Sequence, residues 1–384
     1  MTRPLIGVLG ATGSVGSAAV RTLTDLGYPR LRLGGRRGHA LHALASAGEP
    51  TLNAESVVVD ADDPQALRAF AKGCTVVLNC AGPSYLLGDR VARAALAGGA
   101  HYVDVAGDDP VAEQLSARGL PPDDRVVVLS AGALPGLSGL LPRLLAGDFE
   151  HVSRMSAHTG GMEDCSATVA ADMMLSLTTG GADGASFGEA LAGWRAGRRA
   201  ARVLRTDERG RAPHFSGEVA LVPFLSTETE RLATALALEE ADWFNVYPGP
   251  QVRAVLGRLP GRLDAGADPD TLAGEMIRAA RLDLAGRSPF YTMTFTLTGV
   301  AEGRVRSRTL VLHTPSSYRL TAAVGALAVD AVVAGRVPPG VHFAAEVLAP
   351  GPVAARLRDF GICTRLEIHD TDAAGASEDE EGEL

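Results

Sequence analysis

The sequence predicts an α/β protein, with a doubly wound parallel sheet first and a second α+β domain built on a mostly antiparallel sheet after it. Three observations carry this reading. Short β-branched runs alternate with helical stretches through the N-terminal part. A glycine-rich turn joins the first strand to the first helix. Past about residue 150 the alternation gives way to longer strand-like runs, longer helices and glycine-rich loops.

Strands are expected over 5–9, 31–33, 56–59, 75–79, 101–103 and 125–129, with helices near 15–26, 39–47, 63–72, 88–97 and 110–118. The strand cores are nearly all apolar, as in strands buried on both faces. A further helix should follow Pro135-Gly136. Beyond it, strand-like runs fall at 152–159, 219–223, 245–247, 291–299 and 307–313, and 290–297 with 304–312 read as a hairpin across Gly299 and Gly303. A long apolar helix over 318–334, stopped by Gly335, could pack back on the first domain. The expected division is 1–145, 146–315, 316–368 returning to the first domain, and an acidic disordered tail over 369–384. That tail ends Ser377-Glu-Asp-Glu-Glu-Gly-Glu-Leu384, a run of like charges that buries nothing.

At 384 residues, with 46% hydrophobic and 21% charged, the chain suits two soluble globular domains. No apolar run approaches the roughly 18 residues of a membrane span. The N-terminus lacks a signal-peptide layout, so a cytoplasmic protein is expected. A net charge of −9 disfavours nucleic acid as a partner. Cys74, Cys80, Cys165 and Cys363 are scattered, without the spacing of a disulfide framework or a metal site. Lys72 is the only lysine among 36 Lys and Arg residues, so lysine chemistry is not expected.

Gly10-Ala11-Thr12-Gly13-Ser14-Val15-Gly16 follows an apolar strand and opens an amphipathic helix. Gly10 allows the tight turn, Gly13 lets backbone approach a pyrophosphate, and Gly16 allows close helix–strand packing, as in a Rossmann dinucleotide-binding fold. The helix N-terminus adds unpaired N–H groups and its positive dipole end. Cofactor choice is read about 20 residues on, where NAD enzymes carry a carboxylate for the ribose 2′-hydroxyl and an arginine suits a 2′-phosphate. Gly34-Gly35-Arg36-Arg37 offers two guanidinium forks and no carboxylate, which points to NADP(H) rather than NAD(H). Asp60-Ala61-Asp62 either meets the adenine or caps the helix before Pro64.

Val77-Leu-Asn79-Cys80-Ala81-Gly82-Pro83, then Leu87-Gly88, His101-Tyr-Val-Asp104-Val-Ala-Gly107 and Ala131-Gly-Ala-Leu-Pro135-Gly-Leu-Ser138-Gly139 resemble the saccharopine dehydrogenase-like NADP-binding family. So does the stretch from Leu320 through Gly335 to Glu346. The likeness spans 5–145 and, less fully, 315–361, and is thin over 150–300. It implies a Rossmann domain, an inserted α+β domain, a final helix returning to the first, and dimerisation through the second sheet. It further implies that Asn79, Cys80, Ala81, Gly82 and Pro83 run along the cofactor near the nicotinamide, and that Pro135 starts a helix lining the cleft. Members of the family include C=N reductases and trans-acting enoyl reductases.

Hydride chemistry belongs to the cofactor, and the protein supplies position, electrostatics and sometimes a proton. A protonated imine needs no acid, whereas a carbonyl or enoyl acceptor needs a donor to the developing anion. The candidate catalytic groups are Tyr85 after the Ala-Gly-Pro turn, Asp104 (with Tyr102) after the fifth strand, and His158. His158 opens a glycine-rich segment that runs through Glu163 and Asp164 to Cys165, which reads as an inert thiol. Trp243, Phe244, Asn245 and Tyr247 read as an aromatic core cluster or a pocket wall. Arg195, Arg198, Arg199 and Arg202 recur at helical intervals, as a solvated helix face, a carboxylate clamp or a docking site for a carrier protein. The function expected is a homodimeric NADPH-dependent reductase, passing hydride to a C=N bond of a small amino-acid-derived substrate in specialised (secondary) metabolism. An enoyl or keto reductase for a carrier-bound acyl chain, and a non-catalytic NADP-binding sensor or scaffold, stay open.

Overall fold

A computed structural model of the chain describes residues 3–46, 53–122, 124–177 and 186–371. The strands run in chain order as β1 (Ile6–Leu9), β2 (Arg30–Gly35), β3 (Asn53–Val58), β4 (Val76–Asn79), β5 (His101–Asp104) and β6 (Val126–Leu129). Then come β7 (His151–Met162), β8 (Gly188–Ala190), β9 (Gly193–Arg195), β10 (Arg198–Ala200), β11 (Asp207–Gly210), β12 (Val219–Ser226) and β13 (Glu240–Tyr247). The last are β14 (Phe290–Ala301), β15 (Arg304–Thr314), β16 (Gly340–Phe343) and β17 (Arg365–Thr371).

The first sheet is parallel throughout, in the order β16-β6-β5-β4-β1-β2-β3. The order reverses at β1, and in such sheets the crevice at the strand C-termini is where a ligand binds. The second sheet runs β10-β9-β13-β7-β14-β15-β17, with β12 beside β13. Only β7 and β13 pair in parallel; the other neighbours are antiparallel.

The helix Leu137–Ala146 lies between the two sheets, because it is apolar on most sides and needs two surfaces to bury them. One apolar core therefore runs from Ile6 and Val8 through Leu137, Leu140 and Leu141 to Phe295, Leu310 and Leu312. The apolar helix Ser317–Val333 packs on the first-domain helix Ser14–Asp25, and the two are tied where the Tyr28 hydroxyl donates to Asp330 at 2.7 Å.

Three expectations need correction. Arg195, Arg198 and Arg199 sit on the β9–β10 hairpin and Arg202 in the turn just after it, not on a helix. Arg195 is held by Asp242 at 2.7 Å, and Arg199 is held by Glu230 with Glu189 at 3.7 Å, so neither is free for a substrate or a carrier. The 316–368 segment does not wholly return to the first domain. β16 adds a seventh parallel strand there, while β17 crosses to pair with β15 through Thr371. Part of the expected tail, 369–371, is thus strand; 372–384 lie outside the described residues. A four-residue edge strand such as β16 carries too little pattern to stand out from its helical neighbours.

Candidate active site

The glycine turn is fixed by sterics and backbone hydrogen bonds. Gly10 has a φ of +76°, and the Gly10 and Ala11 N–H groups donate to the Gly34 carbonyl at 2.9 and 3.1 Å. A Cβ on Gly16 would stand 2.2 Å from the Gly10 carbonyl oxygen, so the helix can sit this close only without a side chain. Gly13 differs: it is exposed, and a Cβ there would meet only the Gly10 oxygen at 3.3 Å. The helix that follows has no side-chain cap, which leaves its first-turn N–H groups available. Gly13, Ser14 and Val15 line the cleft, whereas Ala11 and Gly16 are buried and only shape the turn.

Arg36 is exposed just past β2 and has no hydrogen-bond or ion-pair partner among the described residues. Arg37 is engaged, donating to the Thr12 carbonyl at 2.9 Å and the Thr12 hydroxyl at 3.2 Å. At the end of β3, Val58 is 66% exposed and leaves a bare apolar surface where an adenine could rest. Asp60 is exposed and accepts the Asp62 N–H at 3.1 Å, and Asp63 is the residue that caps the next helix. The turn, its free N–H groups and the unpaired Arg36 fit a dinucleotide with a 2′-phosphate.

From the glycine turn a cleft of about 490 Å³ opens toward the second sheet. Cys80, Ala81, Gly82, Ala133 and Pro135 line its first-domain side. Thr159, Gly160 and Gly161 of β7, Trp243, Asn245 and Tyr247 of β13, and Tyr291 of β14 line the other. A Cβ on Gly160 or Gly161 would lie 1.9 or 2.0 Å from a carbonyl oxygen of a neighbouring strand, so the glycine pair is required by strand packing. The helix Ala167–Ser176 forms a third wall, presenting Val169, Asp172, Met173 and Ser176 at helical spacing.

The predicted catalytic residues separate here. Tyr85 lines the cleft, edge-on to Phe187 at 6.4 Å. Burial and the carboxylates of Asp172 and Asp270 raise its pKa, so its hydroxyl keeps its proton. Asp104 is only 2% exposed and accepts from the Tyr102 hydroxyl, from Asn79 at 3.1 Å and from the Ala106 N–H at 2.9 Å. Burial raises its pKa, and with its acceptors taken it is a structural group, not a catalytic one. Asn79, 1% exposed, likewise positions the loop by accepting the Ala81 N–H at 3.1 Å and does not reach a cofactor itself.

His158 faces away from the cleft. β7 continues to Met162, so side chains alternate along it and His158 lies on the opposite face from Thr159. It stacks on Phe244 with ring centroids 5.1 Å apart, and burial pushes its pKa down to about 4. The strand expected to stop at Thr159 runs on to Met162, and the alternation past the glycines was not foreseen. Cys165 lines the cleft, but burial pushes its thiol up to about 12, so it stays protonated.

Sequence reasoning named Glu163 and Asp164 but missed Glu228, Asp108 and Asp172 among the acidic groups of the cleft. Glu228, 4% exposed, caps the helix Leu137–Ala146 by accepting the Gly136 N–H at 2.7 Å and the Ser138 hydroxyl, and burial pushes its carboxyl up to about 7. Asp108 is held by Arg231 at 3.1 Å and Thr227 at 3.2 Å, which clamps the loop after β5 to the second domain. Glu163 accepts the Ser317 N–H at 2.9 Å and the Ser317 hydroxyl. Asp172 has no partner among the described residues. It is exposed on the cleft wall, and desolvation by the surrounding walls pushes its carboxyl up to about 7. No Arg, Lys or His lines the cleft among the described residues, and 178–185 contains none.

Comparison with known proteins agrees with this geometry. Residues 6–121 match the family model described as the saccharopine dehydrogenase NADP binding domain. A human saccharopine dehydrogenase-like oxidoreductase is 35% identical over 78 residues, 20% of this chain and 18% of that protein. A lipid droplet localized protein of Caenorhabditis elegans is 31% identical over 112 residues, 27% of this chain and 26% of that one. The chain thus spans about a quarter or less of the length of these curated relatives. The structure of apo saccharopine dehydrogenase (L-Glu forming) from Saccharomyces cerevisiae superposes with a TM-score of 0.69 over 96% of this chain and 100% of that one, at 14% identity, and so shares the fold. Residues 6–121 thus carry a saccharopine dehydrogenase-type NADP-binding domain, and the chain shares the fold of that dehydrogenase over nearly its whole length.

Proposed function

We propose that this protein is an NADPH-dependent oxidoreductase whose hydride acceptor is a C=N bond carried as an iminium. When bound, the cofactor supplies the hydride. The first-turn N–H groups at Ser14 and Val15 and the Arg36 guanidinium would hold its phosphates. Asn79, Asp104 and Tyr102 fix the loop of Cys80, Ala81 and Gly82 that lines the cleft. One observation carries the choice of acceptor: the cleft holds carboxylates and no cationic side chain among the described residues. Such a field stabilises a positively charged acceptor and opposes a developing oxyanion. Reduction of an iminium would place its π pair on nitrogen and give a neutral amine, so no proton would be required of the enzyme. The same lack of cations opposes the amino-acid-derived substrate expected from the sequence, whose carboxylate would need a guanidinium or ammonium partner.

Tyr85 favours a second reading, in which a keto or enoyl acceptor takes a proton from its hydroxyl. NADPH oxidation assays with cyclic imines, ketones and enoyl thioesters test the two. Tyr85→Phe should lower kcat less than threefold with an iminium and on the order of a hundredfold with an oxo acceptor. Turnover confined to enoyl or keto compounds would replace the imine reading. NADPH binding without oxidation of any of the three would leave a nucleotide-binding protein.

A further inference from the structure

The substrate half of the cleft selects for charge as well as for shape. Its surface is mostly apolar, with walls from Val169, Met173, Trp243 and Tyr291. The bare apolar surface continues outward at the mouth, where Leu86 is 59% and Leu134 44% exposed beside the lining residues Tyr85 and Pro135. Every other acidic side chain named in the cleft is already engaged: Glu228 by Gly136 and Ser138, Glu163 by Ser317, and Asp108 by Arg231 and Thr227. Asp283 accepts the Gln251 and Val252 N–H groups at 2.9 Å each. Asp164 lies at 4.0 Å from Arg281. Asp172 alone lacks a partner among the described residues.

Its position is specific. Thr168, one helical turn before Asp172, packs where a Cβ on Gly82 would come within 3.0 Å of its methyl. Asp172 therefore stands on the helix face that meets the 80–83 loop, close enough to act on the Tyr85 hydroxyl electrostatically. Asp172 is exposed to the open cleft, and a ligand that closed over it would have to desolvate the carboxylate, a cost that a cationic group offsets by pairing and a neutral or anionic one does not. A ligand carboxylate would meet only like charge.

Building on the oxidoreductase reading above, we propose that the substrate is a lipophilic amine or iminium cation without a carboxylate, and that Asp172 is the anionic partner of its nitrogen. This assigns a substrate class and a specificity-determining residue to a cleft whose sequence resembles the family least.

Three isosteric probes test it whatever the natural substrate: nonylamine, nonanol and nonanoate, titrated by calorimetry into the full chain loaded with NADP+ at about pH 8.5, where the amine is still protonated. The amine should bind at least tenfold more tightly than the alcohol, and the carboxylate weakest. Asp172→Asn should erase the amine preference and leave alcohol binding within about twofold, which a folding defect would not do. Asp164→Asn, an exposed change at the rim, should leave the preference in place. Equal or tighter binding of nonanoate, no binding of any probe, or an amine preference that survives Asp172→Asn would overturn the proposal. NADPH is titrated first in the same cell. Its failure to bind would remove the oxidoreductase reading itself, whereas intact cofactor binding with a carboxylate-preferring cleft would remove only the charge assignment.

Discussion

The two ends of the cleft are built on opposite principles. At the glycine turn, backbone N–H groups, a helix N-terminus and an unpaired arginine prepare a place for anions. At the substrate end, apolar walls and carboxylates exclude them. The first end comes from one contiguous stretch plus a strand terminus, Gly10 to Gly16 and Arg36. The second is assembled from β7, β13, β14 and the helix Ala167–Ser176, brought together only by the fold. One molecule can thus hold a polyanionic cofactor and reject an anionic substrate within a few side chains of each other, because each end sets its own local potential.

The largest expected effect breaks the anion end alone. Gly13 is exposed and a Cβ there would press only on the Gly10 oxygen at 3.3 Å, so Gly13→Glu should fold after a shift of a few tenths of an ångström while placing a carboxylate where phosphate would be received. NADPH affinity measured by calorimetry should fall about a hundredfold or more, roughly 2.7 kcal/mol. Unchanged affinity would show that the turn does not hold the pyrophosphate.

Comparable in size is the effect at the joint between the two ends. Burial holds the Glu228 carboxyl at about 7, above its ordinary 4.5. The folded state therefore favours the protonated form. That contribution is complete below about pH 4.5 and is lost as pH rises through about 7. Stability in urea should decline from about pH 5 to about pH 8, and Glu228→Gln should flatten the decline by up to about 3 kcal/mol. A variant as steep as wild type would place the titration elsewhere, on groups such as Asp108 or Asp172.

Two smaller effects sharpen the comparison. Arg36→Ala should reduce the preference for NADPH over NADH about tenfold, roughly 1.4 kcal/mol, and Arg37→Ala should do less because Thr12 already occupies that guanidinium. Parallel titrations of both nucleotides read this directly, and equal losses from the two variants would contradict the division of labour. His158→Gln, on the face of β7 away from the cleft, should leave kcat for the preferred imine within twofold. A loss of tenfold or more would return His158 to the site.

What could be read from the chain follows the same division. The parallel sheet was legible because strands buried on both faces are apolar and punctuated by glycines with steric duties. The NADP(H) assignment was legible because Arg36 stands a fixed distance along one βαβ unit. His158 and Asp104 were misread for one physical reason. A titratable residue near a motif says nothing about which face of its strand it takes or whether its acceptors are already filled. The helical spacing of Arg195, Arg198, Arg199 and Arg202 misled because a tight hairpin can place arginines at the same intervals. β16 and β17 went unseen as strands because each takes its register from a partner far away in sequence, β6 and β15.

The sequence by itself determined the elements whose physics is local: the β1–turn–helix unit, the alternation that makes a doubly wound sheet, and the place of Arg36 just past β2. Tertiary structure alone decided the character of the substrate end. It buried Glu228 under the helix it caps, turned His158 away, left Asp172 without a counter-ion and kept every cationic side chain of the described residues off the cleft wall. Those outcomes depend on what lies opposite each side chain, and desolvation and pairing, unlike turn geometry, are set by neighbours from distant parts of the chain.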